Sequence, residues 1–143
     1  MMVFIVVESI MIAGVTLFQF NKKNSEYHEG RLERKENNLL VDIKYELQKN
    51  GINSINSLNN SMILEMADVH NLEFELYNLD GVLLKSSTAL TGVRGTTILD
   101  DEILEYFQSD NSSRYVVDDK NSSYFKSSYN LVSNFKNQPL GII

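Results

Sequence analysis

The first twenty residues, MMVFIVVESIMIAGVTLFQF, constrain this chain more than any other stretch: they are almost wholly apolar and give way at once to Asn21-Lys22-Lys23. At about 1.5 Å per helical residue, such a run reaches roughly 30 Å, the thickness of a bilayer's hydrocarbon core. A secretory signal would open on a positive segment and close on a small-x-small cleavage site, and this stretch has neither. The pattern predicts a transmembrane helix over 1–20. Glu8 stands out within it, because a charge at that depth costs about 2.5–3.5 kcal/mol unless it lies near the end of the span or pairs across a dimer.

A second helix-forming segment follows without a break. Over residues 21–51 the apolar positions Leu32, Leu39, Ile43 and Leu47 recur at helical spacing, charged residues cover the other faces, and Asn50-Gly51 supplies a stop. A narrow stripe of this kind can pack on a sheet, and a helix with several faces can also pair with its own copy. Between 54 and 71, Leu58, Ile63, Met66 and Val69 predict a shorter helix, with His70 at its end as a cap or surface residue.

LEFELYNLDGVLLKSS, residues 72–87, then reads as a hairpin. A type I turn over Leu79-Asp80 with Gly81 as a left-handed bulge residue sets a register that pairs Leu76 with Leu84, Tyr77 with Leu83 and Glu75 with Lys85. A two-residue Asp80-Gly81 loop would mix apolar and charged partners instead. After the Gly- and Thr-rich loop at 88–97, ILDDEILEYFQS predicts a short helix with Ile98, Ile103, Leu104 and Phe107 inward. SRYVVDD, SSYFKSSYNLV and QPLGII predict three further strands, with Pro139 opening an edge or final one. The fold class is therefore α+β, an N-terminal membrane helix running into a long helix packed on a five-stranded antiparallel sheet. Because the chain stops at Ile143 within an apolar run, the expectation is a piece of something longer.

Composition narrows the chemistry. A chain of 143 residues with a net charge of −6 has the size of one domain and lacks the basic face a nucleic acid would need. It contains no cysteine, which removes disulfides and thiolate metal sites. Phosphate-loop, metalloprotease, nucleophile-elbow and dinucleotide motifs are all missing. The acidic pairs Asp100-Asp101 and Asp118-Asp119 suit a solvated turn or helix start better than a metal. No catalytic residue, metal ligand or bound cofactor is expected. The candidate binding residues are Arg94 in the loop, Arg114 and Tyr115 at the start of one strand, and Tyr124 and Lys126 on its neighbour. The two arginines suit an anionic solute.

The membrane helix, the long helix, the five-stranded sheet and the LYNLDGVLLKSS hairpin resemble the PAS-like (Cache, or PDC) sensor domains of bacterial receptors. YHEGRLERKENNLL and SSYNLVSNFKNQPLGII are similar to the input regions of Bacteroidetes-type membrane sensor histidine kinases. That resemblance implies a 1–20 membrane helix, a 21–51 extracytoplasmic helix and a 52–143 sensor domain, working as a homodimer through the long helix in the cytoplasmic membrane. It implies a small solute or protein as signal. ATP, magnesium, the phosphorylated histidine and the response regulator would belong to a kinase core outside this chain. Lys22 and Lys23 fall on the side assigned outside, against the positive-inside rule, so the orientation rests on the resemblance. Two alternatives share these features. FIVVE, Phe4 to Glu8, matches the Phe-x-x-x-Glu start of type IV pilin-like subunits, and chemoreceptors or nucleotide cyclases carry similar input domains.

Overall fold

The computed structural model describes residues 2–49, 51, 54–88, 98–109, 113–118 and 126–143; the side chains of residues 2–5, Asp118 and Lys126 are outside that description. The chain divides into two units, Met1–Asn37 and Asn38–Ile143.

The described part of the first unit is helical. It belongs to α1, Met2–Lys49, a single helix that begins there and ends in the second unit. Among the described residues no helix is long and apolar enough to cross a membrane, so the transmembrane assignment of 1–20 gains no support from the structure. The apolar side chains from Val6 to Phe20 cover about 22 Å of helix against a hydrocarbon core of roughly 30 Å, and residues 1–5 fall outside the described side chains. The apolar side chains that are described stand uncovered within the chain, with Ile10, Ile12 and Phe18 at 66, 67 and 72% exposure.

In the second unit, Leu39, Ile43 and Leu47 of α1 are buried as their spacing predicts. Gly51, with φ +62°, closes the helix by donating its N–H to the Gln48 carbonyl. A 3-10 turn at Ile55–Ser57 leads into α2, Asn60–His70. Asn59 caps α2, its side-chain oxygen accepting from the Ser61 N–H at 3.2 Å. Asn59→Ala is expected to cost about 1 kcal/mol, read as a lower urea midpoint at an unchanged denaturant slope. Ile55, Leu58, Ile63 and Met66 are buried, whereas Val69, predicted inward, is 70% exposed. Its side chain instead lines the open surface between α1 and α2, with Met62 and Glu65.

The sheet holds β1 (Glu75–Tyr77), β2 (Leu83–Ser86), β3 (Arg114–Asp118), β4 (Lys126–Ser133) and β5 (Pro139–Ile142) in the antiparallel order β2-β1-β5-β4-β3. The last strand is thus the central one. Pro139 starts it opposite Ser133, where the β4–β5 ladder is irregular, so its missing N–H interrupts no regular rung. α3, Asp101–Ser109, lies between β2 and β3 in sequence, with the acidic Asp101 and Glu102 in its first turn, where they suit the positive end of the helix dipole.

Two apolar layers cover the sheet. Leu39, Ile43, Leu47, Ile55, Leu58, Ile63, Phe74, Leu76 and Val132 fill one, and Tyr77, Leu99, Ile103 and Ile142 form the other, joined by Leu104, Phe107, Tyr115 and Tyr129. Ile98, predicted inward, is 61% exposed and Leu99 takes the buried place, because Ile98 is drawn into an isolated bridge with Val82.

The hairpin turn forms as its residues predict. Gly81 has φ +80° and donates to the Asn78 carbonyl, while Asn78 Oδ1 accepts from the N–H groups of Asp80 and Val82. Tyr77 pairs with Leu83, but Leu76 pairs with Lys85 and Glu75 with Ser86. A second bulge accounts for the difference. It leaves Leu84 without a partner position and aims Lys85 at α2, where its Nζ donates to Asn60 Oδ1 at 3.0 Å.

Candidate functional site

Arg114 and Tyr115 are neighbours on β3, and strand alternation sends their side chains to opposite faces. The Tyr115 ring joins the α3 layer, packing on Tyr106 at 4.4 Å between centroids, and its hydroxyl donates to Glu102 Oε1 at 3.0 Å. The Tyr106 hydroxyl in turn donates to the Arg114 carbonyl at 3.2 Å. Lys126 pairs with Asp118 while Arg114 pairs with Asn130, which puts Lys126 and Arg114 about 13 Å apart along the ribbon at 3.3 Å per residue. Arg94 and Tyr124 lie outside the described residues. Arg114, Tyr115 and Lys126 therefore do not converge on one point.

What gathers on the α3 face is a set of phenols and carboxylates. Tyr129 stands opposite Tyr115 in the β3–β4 ladder, and the Tyr77 hydroxyl donates to Glu75 Oε2. The hydrogen bond to Glu102 is the main cause holding the Tyr115 phenol above its ordinary range, with desolvation next. Burial is the main cause raising Tyr129, reinforced by the nearby charges of Asp100 and Glu75 and opposed by a hydrogen bond to Ser127. A raised phenol favours the neutral folded form. Its contribution to stability is complete below the unfolded value of 10.0 and is lost as pH climbs through the higher folded value. Tyr129→Phe should flatten the alkaline limb of the stability profile, and phenolate absorbance should show the wild-type residue titrating late. An unchanged limb would refute the assignment. Chemically this face offers acceptors and hydroxyls, so it suits a solute that brings hydrogen-bond donors.

A second surface lies between α1 and α2, a groove of about 270 Å³ lined by Asp42, Tyr45, Glu46, Met62, Glu65, Met66 and Val69. At its end His70 Nε2 meets Asp42 Oδ2 at 2.7 Å, and only 12% of the His70 side chain is exposed. His70 is neither a simple cap nor a surface residue; it ties the end of α2 to α1. The sequence carries a weak signal for this, a histidine in the last turn of a helix. Its partner lies 28 positions away and no local pattern reveals it.

Among the described residues no group of three or more His, Asp or Glu side chains could hold a metal ion. Comparison with protein-family models, curated proteins and solved structures finds no match.

Proposed function

We propose that this chain is the signal-input region of a membrane-bound bacterial sensor histidine kinase, tethered by its first helix, dimeric through that helix, and outside the cytoplasm from residue 21 onward. One observation carries the reading. α1 is a single helix whose last turns are core residues of the sheet unit, Leu39, Ile43 and Leu47, and whose first turns leave a run of large apolar side chains uncovered. Exposed apolar surface of that extent needs a bilayer or another chain to cover it, and a helix built into a sheet's core can report what happens to that sheet. The resemblance of the hairpin and of the β4–β5 region to PAS-like input domains supplies the rest.

On this reading a solute or protein binds the sheet and biases the paired helices between two packings, a population shift that the tether passes inward. The phenol–carboxylate face beneath α3 is the place where a solute with hydrogen-bond donors would act. Phosphorylation belongs to a core outside this chain, which would bring ATP and magnesium and pass the phosphoryl group to a response regulator. His70 is committed to Asp42 and suits no phosphotransfer role.

The test uses the complete gene product in isolated membranes incubated with labelled ATP. Acid-labile, alkali-stable label on a histidine is the expected result. An unlabelled protein carrying another output module would keep the input role and remove the kinase.

A further inference from the structure

Within the uncovered part of α1, Glu8, Ile12, Val15 and Gln19 fall at i, i+4, i+7 and i+11, which places them on one stripe about 60° wide. Val6, Ile10 and Leu17 occupy the opposite side. Glu8 and Gln19 are exposed, and neither makes a hydrogen bond or ion pair among the described residues. Thr16 differs, since its hydroxyl donates back to the Ile12 carbonyl at 2.7 Å and so needs no outside partner. Ser9 also has an interaction within the chain, so the polar side chains that this segment leaves to an outside partner are Glu8 and Gln19, three helical turns apart and on the same line.

We infer that this stripe is the contact between two copies of the chain, and the inference rests on the membrane-tethered reading above. In hydrocarbon an unpartnered carboxyl or amide is costly, and helices there associate through close packing and interhelical hydrogen bonds. A second copy is the occupant that fits. Two parallel copies entering the bilayer from the same side hold equal residues at equal depth, so Gln19 meets Gln19 and Glu8 meets Glu8. A primary amide both donates and accepts, which makes the Gln19 pair self-complementary. Ile12 and Val15 fill the space between with stiff β-branched side chains. The stripe also gives Glu8 a role that its cost alone leaves unexplained.

The natural absence of cysteine makes a clean test possible. The full chain, carrying Ile12→Cys, Val15→Cys, Ile10→Cys or Leu17→Cys one at a time, is placed in phosphatidylcholine vesicles, washed at alkaline pH and oxidised. Disulfide dimers are expected from the Ile12 and Val15 variants and not from the Ile10 and Leu17 variants. In parallel, Glu8→Leu combined with Gln19→Leu should weaken dimerisation in the vesicles by about 3- to 30-fold, measured by energy transfer between labelled copies. Even cross-linking at all four positions, preference for Ile10 and Leu17, or unchanged association of the double variant would each overturn the dimer stripe while leaving the membrane reading intact. Loss of the chain from the vesicles in the wash would sink the membrane reading and this inference with it.

Discussion

Gly141→Ala is expected to lower the melting temperature by about 10 °C or more, the largest effect of a methyl added at any of the described glycines. Gly141 sits in the central strand opposite Val132. A Cβ there would fall on the backbone carbonyl of Tyr77, closer than real side chains come, and at 2.6 Å from Ile55 Cδ1. The isoleucine can shift, but the carbonyl belongs to the neighbouring strand and cannot move without parting β1 from β5. Overpacking a core typically costs about 1–3 kcal/mol and more where backbone must give way, and each kcal/mol is worth several degrees in a domain of this size. Thermal unfolding followed by circular dichroism reads the result. A fall of less than about 3 °C would mean that β5 is not locked between β1 and β4 as described.

Ile43→Ala should be nearly as damaging for a different reason. Ile43 is fully buried at 0% exposure, within the layer formed by α1, α2 and the sheet. Removing three carbons from such a site costs the lost burial plus the cavity left behind, about 2–5 kcal/mol. Val41 provides the control, since it lies two residues away on the same helix and is 64% exposed. Val41→Ala should change stability by less than about 0.5 kcal/mol. Urea unfolding of the two variants distinguishes a helix that is part of the core from one that merely lies beside it. Equal losses would contradict the assignment of faces on α1.

Those two positions also show what the amino-acid sequence reveals of this fold. The Ile43 face was legible because a buried helix stripe repeats locally, at threes and fours. The Asn78–Gly81 turn was legible because an Asn side chain can satisfy two backbone donors and Gly accepts a positive φ. Strand order was not. Nothing local in QPLGII says that β5 enters between β1 and β4, and the only trace is a glycine where two strands approach closely. The second bulge of the hairpin was equally hidden, since it is fixed by Lys85 reaching Asn60 across 25 positions. His70 looked isolated for the same reason.

The binding residues were legible in type but not in arrangement. Arg114 and Tyr115 are adjacent in sequence, and strand alternation sends them to different faces. The acidic partners that give the α3 face its character, Glu75, Asp100 and Glu102, come from β1, from the residue before α3 and from α3 itself. Only the folded sheet brings them to the tyrosines.

The most direct test of the central claim, that α1 joins a membrane tether to the sheet's core, is flotation of the intact chain with phosphatidylcholine vesicles followed by an alkaline wash. The account predicts that the chain rises with the lipid and stays there after the wash. A chain that remains at the bottom of the gradient, folded and free of lipid, would contradict it.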